Sequence, residues 1–167
     1  MVSPPSPLLI LRMRGLGMRM PVRTYLAARA TGLSLPLGCA VLMQETGGGI
    51  NEFGHDPTIF VGAGTVTKAK YLAYRAERDR TGKCQGVGPM QLTSKGYQDA
   101  ADTDGGCWRP LVNIRQGFAV LAANIRRDGL HDGVRAYNGS GPAAEQYAYR
   151  VIARAEGYAQ RLRLPAP

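Results

Sequence analysis

The sequence predicts a mostly α-helical fold, a bundle packed around one central buried helix, with a minor β-hairpin. Three observations lead to this prediction. The chain has 167 residues, which is the usual size of one domain. Hydrophobic residues make up 44% of it and charged residues 20%, a globular composition. Apolar residues also recur at helical steps of three and four between prolines and glycines that start and stop helices.

Residues 1–20 are expected to be a disordered extension that precedes a folded domain over residues 21–165. The extension has three prolines near its start and a short apolar patch at residues 8–11. A secretory signal has its cations first and then about 7–15 apolar residues, whereas here the cations follow a shorter patch. The sequence therefore predicts a protein made in the cytoplasm without a signal peptide, and Met18 or Met20 is an alternative start of translation.

The helices are delimited by proline at their first turns and by glycine after their last turns. The predicted helices cover residues 23–30, 36–46, 68–80, 94–101, 110–127 and 142–162. The helix over 36–46 is apolar on nearly every side, which is typical of a helix in the middle of a core. Residues 50–66 are rich in glycine and β-branched residues and are predicted to form the hairpin.

The chain is strongly basic. Twenty-one Lys and Arg against twelve Asp and Glu give a net charge of +9, and residues 1–44 contain arginines but no acidic residue. This balance favours an anionic partner such as nucleic acid, a membrane surface or an anionic cell-wall polymer, although a solvated basic surface explains it equally well. No uncharged run reaches the ~20 residues of a membrane-spanning helix. We expect a monomer without a transmembrane segment.

The three cysteines do not suggest a metal site. Cys39, Cys84 and Cys107 form no CxxC pair, and His55 and His131 are the only histidines. A structural zinc site needs about four well-spaced ligands, so neither a metal nor an organic cofactor is predicted. Cys39 is predicted to be a buried apolar residue. Cys84 and Cys107 lie in glycine-rich loops and could pair, although free thiols are expected in the cytoplasm.

Glu45, in the segment GCAVLMQETGGG, is the first acidic residue of the chain and ends its most apolar helix. Burial and the negative end of the helix dipole both disfavour its carboxylate and so raise its pKa. A raised pKa is what a general acid needs near neutral pH. The alternative is an exposed glutamate at a helix end, but the three glycines that follow suggest an open groove beside the carboxyl group.

Two further segments could contact a ligand. The segment GVGPMQL at 86–92 predicts a tight turn with available backbone amides, and it lacks the spacing of phosphate-binding loops. The segment AYNGSG at 136–141 offers a ring face and an amide to a sugar through Tyr137 and Asn138. Each segment alone is equally consistent with an ordinary turn.

Taken in chain order, QETGGG, GVGPMQLT and AYNGSG resemble the motifs of the lysozyme-like domains of soluble lytic transglycosylases and goose-type lysozymes. The resemblance covers residues 21–162. With NEFGHD and GGCW-x-P, it is closest to the lysozyme-like domains of actinobacterial bacteriophage endolysins. It implies a lysozyme-like α+β fold and a peptidoglycan-cleaving enzyme, either a lytic transglycosylase or a muramidase. The bond cleaved would be the β-1,4 bond between MurNAc and GlcNAc.

The resemblance also implies roles for individual residues. Glu45 matches the catalytic acid. The residues that match the glycan-binding turn and the sugar-binding pair are Gly88, Met90, Gln91, Tyr137 and Asn138. Two departures from the family pattern affect the subsites: the usual Glu-Ser is Glu45-Thr46 here, and the compact GLMQ is lengthened to GVGPMQ.

The mechanism depends on whether a second carboxylate is present. An inverting hydrolase holds one ~6.5–9.5 Å from the acid and a retaining enzyme holds one near ~5 Å. Asp56 is the first candidate, ahead of Asp102 and Asp104. His55 could orient Asp56 or a substrate group, or simply lie in a surface loop. A lytic transglycosylase needs no second carboxylate, because the 6-hydroxyl of MurNAc attacks intramolecularly and Glu45 acts as acid and then as base. We expect this water-free route.

The partner expected from the resemblance is the glycan strand of peptidoglycan, and the positive charge suits anionic cell-wall polymers. The protein would then be a phage lysin or wall-remodelling domain that acts at the bacterial cell wall, with no nucleic-acid partner. Two alternatives stay open. One is a non-catalytic glycan-binding domain of the same fold, and the other is a basic helical domain that binds nucleic acid.

Overall fold

The computed structural model describes residues 3–55 and 58–167. Helices dominate this part of the chain, which confirms the mostly α-helical prediction. They are α1 (Pro7–Gly15), α2 (Pro21–Thr31), α3 (Leu35–Thr46), α4 (Lys68–Thr81), α5 (Lys95–Thr103), α6 (Pro110–Asp128), α7 (Leu130–Asn138) and α8 (Gly141–Leu162). Among the described helices, none has the length and apolar character needed to cross a membrane.

The helix α3 is the centre of the fold, as its apolar sequence predicts. It packs between α2 and α8. The α3 side chains that are almost wholly buried are Leu37, Cys39, Ala40, Val41 and Leu42. Gly38 lets α6 approach closely, because a Cβ atom there would lie 2.6 Å from the Phe118 ring. Glu45, in the last turn of α3, is the one charged residue of this helix.

The helix α7 is absent from the sequence prediction, which ended α6 before Gly129 and began the next helix at residue 142. Gly129 instead forms a sharp break, with φ +83°, and α7 begins at the next residue. Gly133 then packs α7 directly on α6, since a Cβ atom there would lie 2.6 Å from the backbone of Ile125. The AYNGSG segment therefore lies across the end of α7 and the start of α8.

The prediction that residues 1–20 are an extension outside the fold does not hold for residues 7–18. The helix α1 packs against α2 and α8, and Met13, Leu16 and Met18 are buried. The Arg12 guanidinium donates to the Leu162 carbonyl oxygen over 3.1 Å. Burial of these apolar side chains attaches the segment to the end of α8.

The predicted hairpin is not present in the described part of residues 50–66, which contains no strand. One side chain supplies the acceptor that a partner strand would otherwise provide. The Gln85 Oε1 atom accepts hydrogen bonds from the backbone N–H groups of Thr58, Ile59 and Phe60 at 2.9, 2.6 and 2.9 Å. The N–H group of Phe60 is buried and therefore needs a partner, and an amide side chain supplies it here instead of a β-ladder.

The three cysteines are free thiols, so Cys84 and Cys107 do not pair. Cys39 and Cys107 are buried. Burial, which disfavours the thiolate, raises the pKa of each of these two thiols to about 12. Their chemistry is therefore that of inert core residues.

Candidate active site

Glu45 is the penultimate residue of α3 and lines a cavity of about 190 Å³. The other residues that line it are Gln91, Leu92, Thr93, Ser94, Tyr97, Tyr137 and Asn138. The cavity thus brings together residues from all three sequence motifs, which lie far apart in the chain. The carboxyl group of Glu45 opens into a space lined by hydroxyl, amide and aromatic groups.

Tyr147 holds the Glu45 side chain in place. Its hydroxyl group donates a hydrogen bond of 2.5 Å to Glu45 Oε1, and its ring is buried on α8. The sequence analysis did not single out this residue. The one available signal, its position in the apolar repeat of α8, indicated burial but not its partner.

The pKa of Glu45 is raised, chiefly because burial disfavours the carboxylate. The Tyr147 hydrogen bond and the nearby His55 lower the pKa in part. The negative end of the α3 dipole acts in the same direction as burial. Glu45 therefore keeps its proton to a higher pH than an exposed glutamate does. The pKa of Tyr147 is also raised, by burial and then by the Glu45 charge, so that the tyrosine remains a donor.

The GVGPMQ turn is fixed from three helices. From α6, the Asn113 Oδ1 atom accepts from Met90 N–H at 2.9 Å, and the Asn113 Nδ2 group donates to the Val87 carbonyl at 2.9 Å. The Tyr137 hydroxyl of α7 donates to the Met90 carbonyl at 2.8 Å. The Thr46 hydroxyl of α3 donates to the Pro89 carbonyl at 2.8 Å. The lengthened turn is thus a rigid wall of the site, and Thr46 is one of its supports.

Gly88 and Met90 support this turn but do not line the cavity. Met90 is fully buried. At Gly88, with φ +75°, a Cβ atom would lie 2.4 Å from Asn113 Nδ2. Gln91 does line the cavity, although its amide group donates to the carbonyl oxygens of Glu52 and Gly88 at 3.0 and 2.9 Å.

The three glycines after Glu45 have a conformational and packing explanation. Gly47, Gly48 and Gly49 all have positive φ, from +63° to +90°, a region that side chains with a Cβ rarely adopt. A Cβ atom at Gly48 would lie 2.6 Å from the Gly17 carbonyl oxygen. None of the three lines the cavity of Glu45, so they do not form the groove that the sequence suggested.

The candidates for a second carboxylate differ in position. Asp56 lies outside the described residues. Asp102 accepts hydrogen bonds from the Tyr71 hydroxyl group and the Cys107 N–H group, and Asp104 pairs with Arg115 at 3.0 Å. Neither of these two lines the cavity, and Glu45 is the one carboxylate among its described lining residues.

His55 is exposed and its Nε2 atom lies 3.2 Å from the carbonyl oxygen of Gln44, the residue before the acid. Its charge, when protonated, helps to lower the pKa of Glu45, so it lies near the site without lining the cavity. Tyr97 and Asn138 reach the cavity from exposed positions. Thr93, Ser94 and Tyr97, which the sequence analysis did not identify, directly follow the GVGPMQL segment.

The described residues contain no cluster of three or more His, Cys, Asp or Glu side chains that could hold a metal ion. Comparison of the chain with models of known protein families, with curated proteins and with solved structures found no match. The chemistry of the site therefore has to be argued from its own residues.

Proposed function

We propose that this protein is a lysozyme-like enzyme that cleaves the β-1,4 bond between MurNAc and GlcNAc in peptidoglycan, at the bacterial cell wall. The observation that carries the proposal is the Glu45–Tyr147 pair. In this pair, Tyr147 donates to a partly buried carboxyl group whose pKa is raised. That carboxyl group lines a cavity where the QETGGG, GVGPMQLT and AYNGSG segments meet. The sugar-binding groups of the proposal are Tyr97 and Asn138, which expose an aromatic ring and an amide group to the cavity.

In the proposed reaction, protonated Glu45 gives its proton to the glycosidic oxygen as the bond to the MurNAc anomeric carbon breaks. The GlcNAc portion leaves as an alcohol and an oxocarbenium-like centre develops on MurNAc. The MurNAc 6-hydroxyl oxygen then bonds to the anomeric carbon, and its proton passes to the Glu45 carboxylate. Tyr147 donates to that carboxylate while it is charged. The cycle ends with Glu45 protonated again and a 1,6-anhydro product.

Glu45 is the one carboxylate among the described residues that line the cavity, and the water-free route needs no other. Hydrolysis with Asp56 as the base is the alternative. Analysis of the digested wall separates the two routes: anhydro ends, lighter by one water, are expected, and Asp56→Asn should be tolerated. Borohydride-reducible MurNAc ends together with an inactive Asp56→Asn variant would identify a hydrolase.

The test of the proposal itself is Glu45→Gln, measured as clearing of a peptidoglycan suspension. We expect nearly all lytic activity to be lost, since the glutamine amide is far too weak an acid to protonate the glycosidic oxygen. Wild-type clearing by the folded variant would refute the role of Glu45. A domain that binds peptidoglycan but releases no fragments in its wild-type form would be the non-catalytic glycan-binding alternative. A salt-sensitive DNA shift without clearing would indicate the nucleic-acid-binding alternative.

Stability provides the control for folding in that test. Because the folded protein raises the pKa of Glu45, it binds more protons than the unfolded chain between the two pKa values, and stability falls as pH rises through that interval. Glutamine removes this loss. We therefore expect Glu45→Gln to unfold at a temperature equal to or above that of the wild type at neutral pH, with the difference shrinking at acidic pH.

A further inference from the structure

A second cavity, of about 320 Å³, carries charges of both signs. Arg19, Arg23 and Glu52 line it, together with Gly49 and Pro110 among others. Neither arginine takes part in an ion pair among the described residues. Both arginines are exposed. The charge of Arg23 also acts on Glu52, but no described carboxylate holds either guanidinium group, so both can bind a ligand carboxylate with paired N–H donors.

Glu52 is the buried partner of this cavity. It is only 2% exposed, and its Oε2 atom accepts a hydrogen bond of 2.7 Å from Val66 N–H. Among the described residues, no donor is bonded to its Oε1 atom, so this oxygen can accept a hydrogen bond from a group in the cavity. A ligand that carries a cationic donor could bind there.

Two helices also begin at this cavity. The helix α2 starts at Pro21, next to Met20, and α6 starts at Pro110; Met20 and Pro110 both line the cavity. Neither helix has a side-chain hydrogen bond at its N-cap, so the positive ends of both dipoles remain uncompensated by a capping group. Together with the arginines they favour a negative group on this side of the cavity.

One hydrogen bond connects the second cavity with the active site. Gln91, which lines the Glu45 cavity, donates its amide to the backbone carbonyl of Glu52, whose side chain lines the second cavity. Gly49 lies four residues after Glu45, so even a fully extended chain separates their Cα atoms by no more than about 14 Å. A three-residue peptide spans about 10 Å when extended, a length comparable to this upper bound.

We propose that this second cavity binds the free end of the stem peptide of peptidoglycan, with Arg19 and Arg23 on a carboxylate and Glu52 on an ammonium group. The inference rests on the proposed function and names the part of the substrate that the glycan site does not contact. Peptidoglycan whose uncrosslinked peptides end in a diamino acid offers both charges on one group. The enzyme would therefore prefer glycan that carries such peptides over bare glycan strands.

The test compares two substrates: intact peptidoglycan with uncrosslinked diaminopimelate stem peptides, and the same glycan after an amidase has removed the peptides. We expect Arg19→Gln and Glu52→Gln to raise KM about tenfold on the intact substrate and to leave the stripped substrate unaffected. Arg150→Gln, an exposed arginine on α8, is the matched control and should behave as wild type. Variants that keep the full wild-type preference for the intact substrate would overturn the inference.

Calorimetric titration with the tripeptide L-Ala-γ-D-Glu-meso-diaminopimelate separates this inference from the proposed function. Wild-type protein should bind the tripeptide and lose affinity when the free amine is acetylated, whereas Glu52→Gln should bind both forms alike. Tripeptide binding without cleavage of either glycan would refute the catalytic proposal and support the peptide site. Cleavage of both glycans with no tripeptide binding would refute the peptide site alone.

Discussion

At the scale of single residues, Glu45 and Tyr147 act as one unit, because burial and the Tyr147 hydrogen bond shift the pKa of Glu45 in opposite directions. Burial at the end of α3 raises the pKa of Glu45 and keeps the proton available, while the Tyr147 hydroxyl group limits that rise by stabilising the carboxylate. A residue that must first give a proton and then take one back needs both states to be accessible. The pair is built from α3 and α8, 102 residues apart.

Tyr147→Phe removes only the hydroxyl group. Because its hydrogen bond lowers the pKa of Glu45, we expect the pKa of the acid to rise further and the alkaline limb of the pH–rate profile to move to higher pH. Loss of the hydrogen bond that stabilises the carboxylate should lower kcat about tenfold, which corresponds to about 1.4 kcal/mol. The measurement is lytic rate against pH for both proteins.

Tyr158→Phe is the control for this prediction, since Tyr158 also lies on α8 and is partly buried but makes no side-chain hydrogen bond with Glu45. Its pH–rate profile should match that of the wild type. If Tyr147→Phe also leaves the alkaline limb in place, the hydrogen bond does not tune the acid.

Sequence reasoning reached Glu45 but not Tyr147, and the difference is physical. The surroundings of Glu45 are local in sequence: the apolar helix before it and the three glycines after it can be recognised within twelve residues. The partner of Tyr147 depends on how α8 crosses α3, which no local pattern records. Tyr137 is a mixed case, because its position near the acid was expected from the resemblance whereas its hydrogen bond to Met90 was not.

At the scale of elements, the segment after α3 shows how a strand-like sequence can form a loop. Glycines and β-branched residues favour a hairpin, yet the backbone donors of residues 58–60 converge on one side chain, Gln85. The rings of Phe53, Phe60 and Tyr74 contact one another in series at tilted angles of 42° and 36°, with centroids 4.6 and 4.8 Å apart. Periodicity reports which faces are apolar, but it cannot report that an acceptor 25 residues away replaces a strand.

Gln85→Leu keeps the volume of the side chain but removes the acceptor. Of the three N–H groups, that of Phe60 is buried and those of Thr58 and Ile59 are only partly buried. A buried N–H group that loses its partner costs about 1–3 kcal/mol, so we expect the free energy of unfolding to fall by about 1–3 kcal/mol. Hydrogen exchange at the amides of Ile59 and Phe60 should accelerate more than exchange in α3. Both quantities are measurable on the same sample by NMR and denaturant titration.

The matched control is Gln160→Leu, at an exposed position of α8, which should change stability by less than about 0.5 kcal/mol. A hairpin would hold these amides by main-chain ladder bonds. Unchanged exchange at residues 59 and 60 in Gln85→Leu would therefore contradict the loop described here.

At the scale of the whole molecule, the N-terminal helix α1 packs against α2 and α8 as part of the bundle. The sequence gives α1 a cluster of leucines, but its buried residue is Met13, while Leu11 is 65% exposed. Composition alone misled the prediction, because prolines at the chain start and arginines after a short apolar patch are also typical of unstructured tails. The contacts that attach α1 are made to the distant end of α8, beyond the reach of local patterns.

Met13→Ala therefore tests whether α1 belongs to the cooperative fold. Removing a fully buried methionine should lower the free energy of unfolding by about 2–4 kcal/mol. Leu11→Ala, on the exposed side of the same helix, should change it by less than about 0.5 kcal/mol. Chemical denaturation of the two variants gives the comparison, and equal small effects would mean that α1 contributes nothing to the folded core.

The charged residues of the molecule are unevenly distributed. Acidic groups on α4 and α5 are matched locally, as in the pairs of Arg78 with Asp79 and Asp99. In contrast, Arg14, Arg19 and Arg23 lie in a stretch without acids, and two adjoining cavities that share Arg19 and Ile50 connect them. These three arginines form one basic face of a protein whose net charge is +9, and this face can attract a polyanion from a distance.

This uneven charge predicts that binding to the cell wall is partly electrostatic. Raising the salt concentration shortens the Debye length from about 10 Å at 0.1 M to about 3 Å at 1 M, which screens attraction between the exposed arginines and anionic groups of the wall. We expect the amount of Glu45→Gln protein bound to insoluble peptidoglycan to fall several-fold over this range, and the inactive variant ensures that the wall is not digested during the assay. The double variant Arg14→Gln/Arg23→Gln should bind less at 0.1 M and show a shallower salt dependence, because it begins with less charge to screen. Binding that is indifferent to salt in both proteins would show that contacts within the glycan site, and not the basic face, hold the protein on the wall.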